Sequence, residues 1–374
     1  MRVLLIDPEP TWRGGEQQAL YLIQGLLRRG VEAHLAADPG GELHRRAQSL
    51  CPLAPLKTTA DIDIRGWPRI LLYCARNRID VLDAHNARAH LIGFFIRLLL
   101  PRIRLVVHRH VDFRPAWNVI NPAIYRVPLV DRFVAVSENV ARILEAFGVN
   151  RNRVSVVRSC VDPAPFERLD RELCRRRLRE QIGLAAGTAV IGAVGQLEDH
   201  KDHATLVRAL GLLRDRGLDF HCALVGEGSL RPGIEAQIAQ AGLERYVSLM
   251  GFRRDVPEIL TGLDVFVMSS YLEGLGTAVQ EACHASACVV ATSAGGIPEM
   301  ITHEQTGLLS PPSDEVALAA NLRRALEDPQ LRARLASCAH QQIAARFRIE
   351  DLIENNLGVY REVMSERLVH ENRA

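Results

Sequence analysis

The chain has 374 residues, a length that suits two domains of typical size. Its residues are 48% hydrophobic and 24% charged, which is typical of folded domains with full cores and does not indicate disorder. A membrane-spanning helix needs about 20 apolar residues, but Arg97 interrupts the best candidate at residues 91–96 and Pro101 ends it. Asp7 directly follows the first apolar run at residues 3–6, which argues against a secretion signal and predicts a buried strand.

Charge is distributed unevenly along the chain. Residues 1–160 contain 23 Lys and Arg against 14 Asp and Glu, and the remainder contains 23 against 30, so the net charges are +9 and −7. Two explanations stay open: the basic half meets anionic headgroups or an anionic acceptor, or the chain simply prefers arginine. Because Lys57 and Lys201 are its two lysines, each is a candidate for binding phosphate as a compact charge.

Eight cysteines are scattered along the chain without a CxxC pair. The closest two, Cys283 and Cys288, have a spacing that fits no zinc pattern. Reduced thiols in a cytoplasmic protein are therefore expected, with no metal site.

Short apolar runs alternate with amphipathic helical stretches in the first half, as in parallel sheets buried on both faces. Helices are predicted over 16–29 and 138–147. Strands are predicted over 2–6, 31–36, 81–84, 105–110, 132–136 and 154–157.

Two prolines at 163 and 165 break this pattern, and the highly charged stretch 167–181 that follows is interpreted as an interdomain linker. The alternation then restarts. Strands are predicted over 190–194, 220–225, 247–249, 265–268 and 289–291, and helices near 202–215, 231–241, 277–285 and 314–326.

After Arg346 a helical tail carries an apolar pattern of Leu352, Ile353, Leu357 and Tyr360, which suits packing against the first domain. The fold class is therefore α/β, with two doubly wound domains that face each other across a cleft. The predicted boundaries are 1–162 for the first domain, with a C-terminal helix at about 346–374 packing back on it, and 163–345 for the second.

The strongest chemical signal is the segment 273–281. Gly274, Leu275 and Gly276 form a turn between an apolar strand and a helix that opens near Thr277, and free amides at a helix start attract anions. Glu273 and Glu281 bracket this turn, and carboxylates bind hydroxyls, so phosphates flanked by two polyols fit the pattern. On spacing alone, a capped helix with a surface glutamate is an equally good interpretation.

Three more glycine turns follow strands of the same domain, where ligands bind in such sheets. One contains Gly195, Gln196 and Lys201, another is Gly226-Glu227-Gly228, and the third is Gly295-Gly296. Lys201 is expected to reach a diphosphate, and the second turn to close over a nucleobase.

In the first domain, Gly14-Gly15-Glu16 links the first strand to the first helix, and no GxGxxG follows, which weighs against a dinucleotide dehydrogenase. Strand alternation places His108 and His110 on one face. A ligand-facing role is expected for His110 and a structural one for His108. A metal site is not expected, because no carboxylate stands at a fixed spacing from them.

These residues together resemble glycosyltransferase family 4, which has the GT-B fold of two Rossmann-like domains. The resemblance covers nearly the whole chain. It rests on the E-x7-E spacing of Glu273 and Glu281, on the Gly14-Gly15-Glu16 loop, on His110 and on the motifs 295–299 and 306–309.

The resemblance implies a retaining glycosyltransferase that needs no metal or other cofactor. It implies a donor diphosphate held by Lys201 and by the amides around Gly276 and Thr277, and a ribose bound by Glu281. Glu273 and His110 would face the transferred sugar. Further donor contacts are expected from Gly15, Gln196, Gly226, Glu227, Gly274 and Leu275.

The chain departs from the family at Gln196, where an arginine on the diphosphate is usual, so Lys201 carries more of that role. The expected partners are a UDP- or GDP-sugar and a glycan or lipid-linked acceptor of cell-surface polysaccharide or lipopolysaccharide synthesis, with no nucleic acid. A cytoplasmic protein is expected, with peripheral contact with anionic membrane through Arg65, Arg69, Arg76 and Arg78. A sugar-nucleotide 2-epimerase, a non-catalytic nucleotide-sugar-binding protein and a pyridoxal-dependent phosphorylase-like enzyme are the alternatives.

Overall fold

The computed structural model describes residues 1–57, 66–113, 124–185 and 187–371. The chain divides into two compact units. The N-terminal unit comprises Met1–Cys160 together with the chain from Ile349, and the C-terminal unit comprises Val161–Arg348. Each unit contains one parallel sheet whose strands alternate with helices along the chain, so the predicted pair of Rossmann-like α/β domains is confirmed.

The N-terminal unit has a seven-stranded sheet of order β3-β2-β1-β4-β5-β6-β7. Its central strands β1 and β4 are buried on both faces, which explains why their sequences are mostly apolar, with the buried Asp7 and Asp83 as exceptions. The elements are β1 (Arg2–Asp7), α1 (Gly14–Arg28), β2 (Glu32–Ala37), α2 (Glu42–Ala47), β3 (Leu53–Pro55), α3 (Trp67–Asn77), β4 (Val81–Ala84), α4 (Ala87–Leu99), β5 (Arg104–Arg109), β6 (Arg132–Ala135), α5 (Glu138–Ala146) and β7 (Val154–Val156).

The C-terminal unit has a six-stranded sheet of order β10-β9-β8-β11-β12-β13. The order reverses between β8 and β11, and in open parallel sheets ligands bind at the carboxyl ends of the strands beside such a reversal. The elements are α6 (Ala164–Glu167), α7 (Arg171–Gln181), β8 (Ala189–Val194), α8 (His203–Asp215), β9 (Phe220–Val225), α9 (Arg231–Gln240), β10 (Val247–Gly251), α10 (Val256–Gly262), β11 (Val265–Met268), α11 (Thr277–His284), β12 (Cys288–Thr292), α12 (Ile297–Met300), β13 (Leu308–Ser310), α13 (Glu315–Glu327) and α14 (Pro329–Arg346).

The last helix, α15 (Ile349–Glu371), packs against α1 of the N-terminal unit. Its residues Leu352, Ile353, Leu357 and Tyr360 are all buried. A Cβ atom at Gly25 of α1 would lie 2.1 Å from Ile353 Cδ1, so the glycine is what allows the two helices to approach so closely.

The interpretation of the charged stretch 167–181 as a linker is wrong. Most of it forms α7, which belongs to the C-terminal unit and packs against α10. Arg175 and Arg179 form ion pairs with the buried Asp264, and Arg171 donates hydrogen bonds to backbone carbonyls of the same unit. The charges are therefore partnered against the domain, and charge density alone gave a misleading signal.

No helix in the described ranges is both long and apolar enough to span a membrane.

Candidate functional site

In the C-terminal unit, Lys201 and Glu273 form an ion pair at the carboxyl ends of two neighbouring strands. Lys201 lies in a 3₁₀ turn after β8, and Glu273 lies in the loop after β11. The Lys201 ammonium donates to Glu273 Oε1, and Ser270 Oγ donates to the same oxygen at 2.8 Å. Both ionic side chains are mostly buried. The sheet thus brings together two of the predicted site residues that are distant in sequence.

The backbone around this pair is held by residues that the sequence analysis did not single out. Ser269 Oγ donates to the carbonyl of Lys201 at 2.8 Å, and the Tyr271 amide donates to the carbonyl of His200 at 3.0 Å. Asp202, in the left-handed region with φ 47°, caps α8. Two serines placed directly after a buried strand were the signal available in the sequence.

The start of α11 has the geometry of an anion site. Gly276 is its N-cap and has φ 88°, a conformation that favours glycine over any residue with a side chain. The amides of Thr277 and Ala278 precede the first hydrogen bond at this helix start, which the Val279 amide donates to the Gly276 carbonyl at 2.9 Å, and the helix dipole adds positive potential there. Leu275 is buried beneath the turn, and the Gly296 amide donates to the carbonyl of Glu273 at 3.2 Å. This contact joins the turn at Gly295 to the same edge of the sheet.

Glu281 lies on α11 and is partly buried. Burial raises the pKa of its carboxyl group to about 7. A carboxylate in such surroundings is a strong acceptor for ligand hydroxyls, because few water molecules compete for its oxygens.

The glycines after β8 and β9 have a structural explanation. A Cβ atom at Gly226 would lie 1.8 Å from the carbonyl oxygen of Gly195, and one at Gly228 would lie 2.3 Å from that of Leu197. The Glu227 carboxylate pairs with Arg231 at 2.6 Å. These glycines therefore allow two loops to pack backbone against backbone. The predicted donor contacts of Gly226, Glu227 and the neighbouring Gln196 stay predictions.

In the N-terminal unit, the predicted residues Gly15 and His110 lie side by side. A Cβ atom at Gly15 would lie 3.7 Å from the His110 ring, an ordinary van der Waals contact. Gly14 begins α1, and Glu16 accepts a hydrogen bond from the Arg13 amide at 2.7 Å. Glu16 thus stabilises the start of the helix.

The buried His85 and His108 lie against Asp83 of β4, and the partly buried His110 lies next to His85. His85 Nε2 donates to Asp83 Oδ2 at 3.0 Å, and His108 Nε2 lies 3.0 Å from Asp83 Oδ1. His85 Nδ1 lies 3.2 Å from His110 Nε2, and the Tyr360 hydroxyl of α15 donates to Asp83 Oδ2 at 2.5 Å. The sequence offers no carboxylate at a fixed spacing from His108 and His110, but the neighbouring strand β4 brings the buried Asp83 against His85 and His108.

The charge state of the cluster follows from its contacts. Burial alone would raise the pKa of Asp83, but His108 and His85 outweigh it and hold that pKa well below its usual value. Burial lowers the pKa of His85. Burial, together with repulsion from His85 and His108, lowers the pKa of His110 well below its usual value. The cluster therefore contains an ionised aspartate and a neutral His85 and His110.

One nitrogen from each of His85, His108 and His110 lies within 4.8 Å of the others, close enough to consider a metal ion. The rings of His85 and His108 are stacked, with centroids 4.3 Å apart and planes 10° from parallel. Their in-plane lone pairs therefore run side by side, whereas zinc needs lone pairs that converge on one point about 2 Å away. The geometry favours a hydrogen-bonded cluster.

Comparisons with known proteins agree with this architecture. The family model "Glycosyltransferase Family 4" matches residues 12–165, and "Glycosyl transferases group 1" matches residues 175–342. The 2-deoxystreptamine glucosyltransferase of Streptomyces kanamyceticus is 31% identical over 278 residues, covering 71% of this chain and 70% of that protein. The lipopolysaccharide core biosynthesis glycosyltransferase LpsD of Rhizobium meliloti is 29% identical over 189 residues, covering 50% of this chain and 54% of that protein.

Among solved structures, Anabaena HepE in complex with UDP-glucose is similar, with a TM-score of 0.83 at 22% identity. The match covers 98% of this chain and 100% of that chain.

Proposed function

Because the chain belongs to glycosyltransferase family 4 and has the two Rossmann-like domains of the GT-B fold, we propose that it is a retaining enzyme that uses a UDP- or GDP-hexose as donor. The observation that carries the proposal is the pair of Lys201 and Glu273 beside the ligand-binding edge of the C-terminal sheet. The UDP-glucose held by the similar HepE structure supports the donor class.

The reaction at this edge of the C-terminal sheet requires a nucleoside diphosphate to leave the donor sugar. As the bond to the sugar breaks, negative charge builds on the β-phosphate, and fixed cations and amides stabilise it most in the transition state. Lys201 supplies the cation, and the first amides of α11 after Gly276 supply neutral donors. These groups carry the charge stabilisation, so metal-independent transfer without a cofactor is part of the proposal.

Glu273 keeps Lys201 in place before the donor binds. When the diphosphate arrives, Lys201 turns part of its hydrogen bonding toward phosphate, and Ser270 continues to hold Glu273 Oε1. The Glu273 carboxylate then also accepts from hydroxyls of the transferred sugar. Glu281 accepts from the ribose, and His110 contacts the transferred sugar.

The acceptor that we propose is a glycan or lipid-linked glycan of cell-surface polysaccharide or lipopolysaccharide synthesis in the cytoplasm, in line with the similar LpsD. A second candidate is an aminocyclitol, favoured by the name of the 2-deoxystreptamine glucosyltransferase. Release of the nucleoside diphosphate is measured with one donor and with each acceptor class in turn. The class that increases this release is the acceptor.

Membrane contact is proposed for the face formed by α3 and α4. Leu72, Leu98 and Leu99 on these helices are each about half exposed. Arg69 and Arg76 lie on α3 and Arg78 follows it, whereas Arg65 lies outside the described residues. On α3, Leu72 shares a helix face with Arg69 and Arg76, three residues before it and four after it, and an apolar side chain flanked by arginines suits an anionic headgroup layer. In a flotation assay at low salt, the protein should rise with phosphatidylglycerol vesicles, and an L98Q/L99Q variant should remain in the bottom fraction of the gradient. No binding by the wild type would remove this proposal.

The donor proposal is tested by a thermal-shift screen of nucleotide-sugars, followed by turnover of the best donor. Lys201→Ala and Glu273→Ala should each reduce turnover by about 100-fold or more, because they act on charge that develops in the transition state. Glu281→Ala should mainly weaken donor binding. Wild-type turnover in Lys201→Ala or Glu273→Ala would contradict the proposal, and conversion of the sugar-nucleotide alone to an epimer would favour the 2-epimerase.

A further inference from the structure

We infer that Asp83, His85 and Tyr360 are positioning residues that set which nitrogen of His110 carries the proton, so that His110 presents a lone pair at Nδ1 to a hydroxyl of the sugar. This inference rests on the proposed function for the role of His110 alone. The series of hydrogen bonds from Tyr360 through Asp83 and His85 to His110, called the relay below, lies wholly within the N-terminal unit.

The relay begins at Asp83, which is fully buried at the end of β4. Its Oδ2 atom accepts from the Tyr360 hydroxyl at 2.5 Å and lies 3.0 Å from His85 Nε2. A tyrosine hydroxyl that donates to a carboxylate fixes that carboxylate as an acceptor. Because Asp83 is ionised, His85 must carry its proton on Nε2.

The second step passes from His85 to His110. A neutral imidazole with its proton on Nε2 has an unprotonated Nδ1, which can only accept. That atom lies 3.2 Å from His110 Nε2, so His110 must carry its own proton on Nε2 to satisfy the contact. The lowered pKa of His110 keeps the ring neutral, which leaves Nδ1 as an acceptor.

The packing around His110 holds the ring in this orientation. His110 stacks on His85 with centroids 5.4 Å apart and on His108 with centroids 5.6 Å apart, and the start of α1 at Gly15 lies against it. Tyr360 reaches the relay from α15, 277 residues away in sequence from Asp83. The C-terminal helix therefore supplies the first hydrogen bond of a chain that ends at the proposed sugar contact.

The tautomer is read directly by selective ¹⁵N-histidine labelling and long-range ¹H–¹⁵N spectra of the full-length protein, with His110 assigned from an H110Q spectrum. We expect neutral His110 with its proton on Nε2. A His110 with its proton on Nδ1 would overturn the inference. So would a stoichiometric zinc ion that His85→Phe removes, because the histidines would then be metal ligands.

Two variants of His85 separate positioning from general structure. His85→Phe removes the acceptor, so the His110 signals should lose the pure Nε2–H pattern and kcat should fall by about 10- to 100-fold. His85→Gln can donate to Asp83 and accept from His110 with one amide, and kcat should stay within about 3-fold of wild type. Both should bind UDP or GDP as wild type does.

His34 offers a matched control, because it is a buried histidine of the same sheet that contacts the Tyr73 hydroxyl at 2.8 Å. His34→Phe should leave both the His110 signals and kcat unchanged. A folded His85→Phe with wild-type kcat and tautomer would overturn the relay. Full activity in His110→Ala with the expected wild-type tautomer would instead leave the relay standing and refute the role of His110 in the proposed function.

Discussion

Replacing Glu281 by glutamine should stabilise the ligand-free protein and lower its affinity for the donor. Burial raises the pKa of Glu281 from about 4.5, its value in the unfolded chain, to about 7 in the folded protein. The folded state therefore binds the proton more tightly, and ionisation costs stability. This cost is absent below pH 4.5, grows between pH 4.5 and 7, and is complete above pH 7.

The size of the effect follows from the two pKa values. Each tenfold change in proton affinity corresponds to about 1.4 kcal/mol, so the ionised carboxylate costs up to about 3 kcal/mol above pH 7 and below about 1 kcal/mol at pH 5. Glu281→Gln removes the ionisable group. At pH 8 the variant should therefore gain up to that amount in free energy of unfolding, and at pH 5 the two proteins should be nearly equal.

The assay must report on the C-terminal unit. All three tryptophans, Trp12, Trp67 and Trp117, precede residue 161, so their fluorescence follows the N-terminal half. Calorimetry or far-UV circular dichroism at pH 5 and pH 8 covers both units. Glu244→Gln, at an exposed position of the same unit, is the matched control and should change nothing.

Binding should move in the opposite direction. A charged acceptor of hydroxyl protons contributes about 1.5–3 kcal/mol, so the Kd of the nucleoside diphosphate should rise by about 10-fold or more in Glu281→Gln. A stability difference between variant and wild type that does not change from pH 5 to pH 8 would refute the assignment of a raised pKa. Unchanged nucleotide affinity would refute the ribose contact.

Three further substitutions test the packing around the sites by urea unfolding. Gly226→Ala places a methyl group 1.8 Å from the Gly195 carbonyl oxygen, so it should cost about 2 kcal/mol or more and lower donor affinity, and a neutral result would contradict the loop packing. Gly25→Ala meets Ile353 at 2.1 Å and should loosen α15 at a cost of about 1–3 kcal/mol, seen as faster amide exchange in that helix; unchanged exchange would contradict the close contact. Asp264→Asn leaves two arginines of α7 without their carboxylate and should cost about 3 kcal/mol, and a cost below about 1 kcal/mol would show that solvent already screens them.

Most of the strand pattern could be predicted from the sequence because buried parallel strands are apolar on both faces. Val81–Ala84, Phe220–Val225 and Val265–Met268 were predicted with the bounds that the structure has. The strands that were not predicted, β3 and β13, have three residues each, and so short a run leaves little periodic signal; β7 is as short, but its alternating Val154 and Val156 made it recognisable.

Among the site residues, those in loops directly after strands could be predicted, and those that meet only through tertiary packing could not. Lys201 and Glu273 could be singled out because each follows a strand within a glycine-bearing loop, and parallel strands bring such loops to one edge. Asp83 and Tyr360 could not, because a buried aspartate inside an apolar strand and a tyrosine in a distant helix become partners only when α15 packs back on the first sheet. Gly226 has a packing role against Gly195 that was not foreseen from the sequence, and its contact with the donor stays a prediction.

The central claim is that Lys201 and the start of α11 form a diphosphate site. Calorimetric titration of wild type and Lys201→Ala with a nucleoside diphosphate and its monophosphate, for the base selected by the donor screen, tests it directly. The wild type should bind the diphosphate at least about 10-fold more tightly, because the β-phosphate meets the ammonium, and Lys201→Ala should lose most of that preference. Equal affinity of the wild type for the two nucleotides, or an undiminished preference in Lys201→Ala, would contradict the account.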